Sequence, residues 1–395
     1  MDEEVSNPRE RFNDAIHFRK VDCLPWIENI YDETVIEWIK QGLPVERLAV
    51  IEWEMGRGGT QLINWPALKG FNPYPLFGCQ SFFGCLVPVD VGPIPRFKQQ
   101  LLNVTERYSE FLTETGARAR RSRTGGYTWY SMPMFVEFPV KDRATWHEYR
   151  KRLNPYDPKR YPKDWNNEAY IKALETYQAG NTMLRFNGFY GFGAELMGIP
   201  TFNIMFYKDP ELMHDMIEYW EYYTIETIRS AVEILRDKID VIYWWEDMAD
   251  RHGPCVSPKL FKEFFLPHYK RVTGFLNKNK IDRIMMDSDG NLNLILDLIV
   301  DAGITGLWPL EVNAGMNAIS VREKYGNKLF LVGNLDKAEL MKGGEAMKKE
   351  VDSKLLPLKE MGGYVPGADH LIPTEFTLVK FNEYTEYVKK HLTST

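Results

Sequence analysis

From residue 182 onward the chain alternates short apolar runs with longer stretches of helical period. Residues 183–186, 240–245, 284–286, 305–310, 328–332 and 363–365 read as buried strands. Between them, Asp209 and Ser257 each precede a proline, the arrangement of a capped helix start, and helices are predicted to about residues 236 and 278. Further helices are predicted from about 337 and over 374–391, and the glycine-rich stretch 187–198 is expected as a loop. Toward the start, Asn7 and Pro8 open a short helix with Phe12, Ile16 and Phe18 as its apolar positions. A strand over 23–30 and a helix over 33–40 follow, the latter stopped by Gly42 and Pro44. Repeated strand–helix alternation predicts a parallel sheet with right-handed crossovers. The number of units suits a closed (β/α)8 TIM barrel better than an open sheet, and no GxGxxG opens any helix. One barrel domain over 1–395 is expected, with 64–165 an irregular, Pro- and aromatic-rich excursion and the basic run 118–123 a solvated loop.

Residues 281–317 carry the densest chemistry. The strand 284–286 runs into Asp287, Asp289 and Gly290, a helical pattern through Ile299 follows, Gly303 ends it, and the next strand closes on Glu311. Acids just past the ends of barrel strands stand where barrel enzymes do their chemistry. Two interpretations of this loop stay open on the residues alone. Asp287 and Asp289 could converge on a cation or a substrate hydroxyl, or Asp289 or Asn291 could simply cap the following helix. On strand 240–245, alternation sends Trp244 and Glu246 to one face and Trp245 and Asp247 to the other. One pair must face the barrel mouth, and Asn187, Tyr190 and Glu195 are expected nearby. The glycines of 187–198 lack the Lys and Ser/Thr of a phosphate-binding loop, which excludes nucleotide binding there.

Composition narrows the classes. A formal charge of −6 over 395 residues argues against a nucleic-acid or acidic-membrane partner. No apolar run reaches the length of a membrane span. The opening MDEEVSNPRERF is too acidic and polar for a secretory signal, so a cytoplasmic location is expected. The four cysteines, with no CxxC pair, read as reduced thiols. An aromatic fraction of 14% permits an aromatic-lined pocket.

Six ordered motifs then point to a family: NPRERFNDAIHFRKVDCLPW, GFYGFGAELMG, VIYWWEDMADRHGPCVSPKLFKEFFLPHYKR, IMMDSDGN, VGNLD and GGYVPGADHLIP. Together they resemble the uroporphyrinogen decarboxylase superfamily, which includes corrinoid-dependent methyltransferases, and the resemblance implies a (β/α)8 barrel with its cleft at the strand C-termini. The departures shape the functional expectation. Where true uroporphyrinogen decarboxylases carry arginines after the first strand, this chain reads WIENIYDETVIEW, and Glu28, Asp32 and Glu33 would repel a polycarboxylate. Where zinc-dependent methyltransferases of the superfamily place His-x-Cys and a third Cys, this chain has Asp287-Ser-Asp289 and the loop of Asp369 and His370.

The W-x-E start and D-x-D-G loop resemble a branch associated with corrinoid-dependent O-demethylation. That likeness implies a methyltransferase moving methyl from a small methoxylated, aromatic compound to a corrinoid carried by a partner protein. Its expected metal ligands are Asp287, Asp289, Glu311 and His370, holding zinc; its catalytic acids are Glu246, Asp247 and Asp289; its substrate contacts are Trp26, Asn187, Tyr190 and Trp244. Zinc would polarise the ether oxygen, or a protonated carboxylic acid would donate to it instead. Two alternatives of other classes are a cofactor-free decarboxylase of a small acid and a non-catalytic barrel with a structural cation site.

Overall fold

The computed structural model describes residues 6–44, 50–55, 64–69, 72–123 and 133–393, with the backbone alone for 50–55 and 64–69. Residues 1–5 of the polar opening, and 70–71 and 124–132 of the expected excursion, lie outside the described residues.

Eight strand positions close into a barrel. They are β1 (Ile27–Glu28), β2 in two pieces (Gln80–Ser81 and Cys85–Leu86), β3 (Thr182–Asn187) and β4 (Val241–Trp245). The others are β5 (Ile284–Asp287), β6 (Gly306–Trp308), β7 (Phe330–Val332) and β8 (Tyr364–Val365). From the second piece of β2 to β8 the pairings are all parallel and between neighbours. The first piece of β2 pairs in parallel with β1, and Ile27 N–H donates to the Pro366 carbonyl at 3.1 Å, which joins β1 to the end of β8 and closes the ring. This is the predicted (β/α)8 architecture.

Side-chain alternation divides the barrel wall. Ile27, Met183, Tyr243, Met285, Trp308, Phe330, Val332 and Val365 share one apolar cluster inside the barrel. Leu184, Phe186, Ile242, Trp244, Ile284, Met286, Leu307 and Leu331 belong to a larger cluster between wall and helices. The helix Pro8–Ile16, capped by Asn7 with Glu10 reaching back to it, adds Phe12, Ala15 and Ile16 to the interior cluster. Arg9 and Asn13 of this helix bind Asp240, the residue before β4, so the helix plugs the N-terminal end of the barrel. Chemistry is left to the opposite end.

The excursion is more regular than expected. Gln100–Val104, Tyr108–Leu112, Arg118–Ser122 and Met134–Glu137 form a four-stranded antiparallel sheet. The basic run is therefore a strand, not a solvated loop. Arg120 stands opposite Glu110, and both Arg118 and Arg120 bind its carboxylate, at 3.1 and 2.5 Å, while Arg121 is buried. The run looked like free charge because its counter-ion lies on the neighbouring strand. All four cysteines are free thiols, and among the described residues no helix is long and apolar enough to cross a membrane.

Candidate active site at the barrel mouth

Just beyond β4 the chain turns through Asp247, whose φ of 47° places a non-glycine residue in the left-handed region. Such a conformation costs on the order of 1–3 kcal/mol and persists where the surroundings enforce it. The turn aims the Asp247 carboxylate toward the next strand end. There β5 ends at Asp287, and the D-x-D-G loop brings in Asp289. A side chain on Gly290 would sit 2.5 Å from the Ala249 backbone carbon, so this loop can lie against the segment after β4 only with glycine at that position. Carboxylate oxygens of Asp247, Asp287 and Asp289 fall within 4.8 Å of one another. Loops after separate strands have thus converged, as barrel topology permits.

His370, after β8, joins from the far side, its Nε2 3.3 Å from Asp289 Oδ2 and its ring stacked on Trp308 with centroids 6.1 Å apart. Tyr243, inward-facing on β4, donates its hydroxyl to Asp287 in a short hydrogen bond. Burial is the largest cause raising Asp287 well above the usual carboxylate range, with the Asp247 charge adding to it. Asp247 is pushed up to about 7, again chiefly by burial and then by Asp289. Three carboxylates this close do not all ionise unless a cation or protons offset them. Three oxygen donors with an imidazole beside them fit a divalent cation such as zinc. Among the described residues, this is the cluster whose donor geometry suits an ion.

The structure redistributes the sequence-predicted residues. Asp287, Asp289, His370 and Asp247 come together. Glu311 does not join them: its Oε2 accepts from Gly290 N–H at 2.9 Å, buttressing the loop from behind. Asp289 does not cap the following helix, which runs over Leu296–Asp301, shorter than predicted, with Ile295 at its N-cap position and no side-chain cap bond. Asn187, at the end of β3, donates to Glu195 at 3.1 Å.

Four other expected site residues, Trp244, Glu246, Tyr190 and Trp26, lie away from the mouth. Trp244 and Glu246 face the helices, not the mouth. Trp244 is 1% exposed and stacks on Tyr269 with ring centroids 4.5 Å apart. Glu246 is 0% exposed, and its carboxylate accepts from the backbone N–H groups of Phe189, Tyr190 and Gly191 at 2.8, 2.8 and 3.0 Å. The Trp244 indole at 3.1 Å and the Tyr269 hydroxyl complete its partners. These N–H groups open the helix Phe189–Met197, so the glycine-rich stretch expected as a loop is a helix whose N-terminus rests on a buried carboxyl group. Gly188 is required there, because a Cβ would fall 2.1 Å from the Glu246 carboxyl carbon. Tyr190 is buried on that helix against Phe202.

Trp26 likewise points outward, its ring edge-on to Tyr384 and its Nε1 donating to Glu28 at 2.8 Å. Glu28 is also buried, so of the acids expected to repel a polycarboxylate, Glu28 and Glu33 are inside the protein and only Asp32 lines the open cavity beside the mouth.

Glu28 carries a testable consequence of that burial. Desolvation is the largest cause raising its pKa from 4.5 to about 7, against the bonds from Tyr384, Trp26 and Ala368 that pull it down. The folded chain then keeps this proton up to about pH 7 while the unfolded chain releases it near 4.5. The associated stability is complete below the lower value, is lost as pH rises through the window, and amounts to about 3 kcal/mol. Glu28→Gln should flatten the pH dependence of the urea unfolding free energy by that amount. An unchanged slope would mean Glu28 ionises normally.

Arg185 was not anticipated. It occupies an inward position of β3, between Met183 and Asn187, and its signal was a lone charge in the apolar strand MLRF.

A family model described as uroporphyrinogen decarboxylase (URO-D) matches residues 193–391, the part that holds β4–β8 and the whole acidic cluster. Uroporphyrinogen decarboxylase of Cellvibrio japonicus (strain Ueda107) is 23% identical over 178 residues, and that of Pseudomonas fluorescens (strain Pf0-1) is 25% identical over the same length. Each alignment covers 43% of this chain and 46% of the relative, so the chain spans about half the length of the curated relatives it matches. A solved methyltransferase from Methanosarcina mazei aligns over 98% of both chains at 17% identity with a TM-score of 0.56, which shows a shared fold.

Proposed function

We propose that this chain, which belongs to the uroporphyrinogen decarboxylase (URO-D) family, moves a methyl group from a small methoxylated aromatic compound to the cobalt of a corrinoid held by a separate protein. One observation carries the proposal: Asp247, Asp287 and Asp289 converge within 4.8 Å at the barrel mouth, with His370 beside them. A fold shared with a methyltransferase supports it. In this account residues 1–395 act as one cytoplasmic barrel domain, with 64–165 an excursion from it.

Breaking an ether C–O bond leaves the electron pair on oxygen, so the site must stabilise a developing alkoxide or phenoxide. Asp247, Asp287, Asp289 and His370 would hold a zinc ion, which when bound supplies Lewis-acid polarisation of that oxygen. The reduced corrinoid supplies the electron pair that accepts the methyl group. The remaining work belongs to the chain. Asp287, held by Tyr243, keeps the crowded carboxylates in register. Without a bound ion, a proton retained among them can pass to the departing oxygen instead, leaving an alcohol or phenol. The rings of Trp308 and Tyr243, inside the barrel, give an aromatic donor apolar surface next to those acids.

The assay combines the purified chain, a methoxylated aromatic compound and a corrinoid protein with its cobalt reduced. Expected results are conversion of the corrinoid spectrum to its methylated form and an equimolar phenol. Chelation should lower the rate by tenfold or more, and zinc should restore it. Release of carbon dioxide with the methoxy group intact would overturn methyl transfer in favour of decarboxylation.

A further inference from the structure

Tyr243 stands on β4 one inward position below Trp245, the register partner of Asp287 on β5, so its side chain reaches diagonally to the neighbouring strand end. There its hydroxyl donates to Asp287 Oδ2. Phe82 and Phe83 stand edge-on to the Tyr243 ring with centroids 5.7 and 5.3 Å away, and the Arg185 guanidinium covers it at 5.4 Å. Tyr243 and Asp287 are 3% and 4% exposed, so the bond between them is shielded from water.

Each carboxylate of the cluster has one oxygen engaged. Asp247 Oδ1 accepts from Asp289 N–H at 3.4 Å, and Asp289 Oδ2 faces His370 Nε2 at 3.3 Å. Among the described residues the other oxygens, Asp247 Oδ2, Asp287 Oδ1 and Asp289 Oδ1, accept no hydrogen bond. One oxygen from each acid and an imidazole make the donor set that zinc takes in a tetrahedral site. Calcium takes about six to eight oxygens, often both from one carboxylate. Of the engaged oxygens, Asp287 Oδ2 is held most firmly, by a buried side chain clamped between rings.

We infer that Tyr243 is a positioning residue that sets which cation the cluster takes: by occupying Oδ2 it limits Asp287 to one oxygen, which suits four-coordinate zinc and disfavours calcium. The inference deepens the methyl-transfer proposal and rests on it for the acidic cluster as the metal site.

The test uses the full chain, stripped of metal by a chelator and reloaded with cobalt(II), zinc or calcium alone. Bound cobalt(II) should give the intense visible absorption of a four-coordinate ion. Tyr243→Phe keeps the ring and removes the hydroxyl. It should lower the ratio of zinc to calcium affinity by about tenfold or more, the size of effect that a hydrogen-bond partner of a metal ligand has. The cobalt(II) absorption should weaken with it, as Asp287 turns both oxygens to the ion. A purely structural Tyr243 would move the unfolding midpoint and leave ratio and spectrum unchanged. An unchanged ratio in folded Tyr243→Phe overturns the inference. So does a weak, six-coordinate cobalt(II) spectrum in the native chain, a measurement that needs no variant. Turnover separates this role from methyl transfer. If the ratio moves but no methoxylated compound loses its methyl group, methyl transfer fails and the role of Tyr243 stands. If zinc is held and methyl transfer proceeds while the ratio does not move, the role of Tyr243 fails and methyl transfer stands. A native chain that binds none of these cations overturns the metal site and this inference with it.

Discussion

Replacing Glu246 with alanine is expected to lower stability by about 3–5 kcal/mol, because several buried donors lose their acceptor at about 1–3 kcal/mol each. Its carboxylate is fully buried and accepts from the N–H groups of Phe189, Tyr190 and Gly191, from the Trp244 indole and from the Tyr269 hydroxyl. Without it, three helix N–H groups and two side-chain donors have no acceptor and no water. Urea denaturation should show the midpoint falling, and hydrogen exchange should show the helix Phe189–Met197 losing protection first. A catalytic Glu246 predicts a different result: a protein that folds with an unchanged midpoint and has lost turnover. Such a protein would return Glu246 to the active site.

Asp289→Asn should do the reverse, lowering methyl transfer by about 100-fold or more while leaving stability within about 0.5 kcal/mol. The Asp289 side chain is 39% exposed, its partner is His370 at 3.3 Å, and the helix after it is not capped by it. Asparagine keeps the size and the turn but removes the charge that draws a cation. Metal content, turnover and unfolding midpoint should be measured on one preparation. Retained activity with retained metal would sink the cluster as the catalytic centre, since Asn serves a turn or a cap about as well as Asp.

Opposite outcomes are expected for two acids that looked alike in the sequence. Glu246 and Asp247 are adjacent, and both were expected to be catalytic. A strand sends neighbours to opposite faces, so one of them had to leave the mouth. Which one depends on the phase of β4 against the barrel axis, and that phase is set by its pairing with β3 and β5. The same phase moved Trp244 outward and put Arg185 within.

Local chemistry made much of the architecture legible. Short apolar runs marked the β3–β8 strands, which are buried on both faces, and helical patterns marked most of the helices, which bury one face and must repeat at their own period. Asp287, Asp289 and His370 stood out as acids and an imidazole after strand ends, and barrel topology explains their meeting. Long-range acceptors and donors were not legible. The glycine-rich segment after β3 is helical because its first N–H groups find a carboxylate 57 residues away from Phe189. Arg118 and Arg120 form strand pairs because Glu110 lies opposite. Glu311 serves Gly290, not a metal. The periodicity of an element is a property of its own residues, whereas the partner that satisfies a buried N–H or a charge comes from whatever the closed barrel brings alongside.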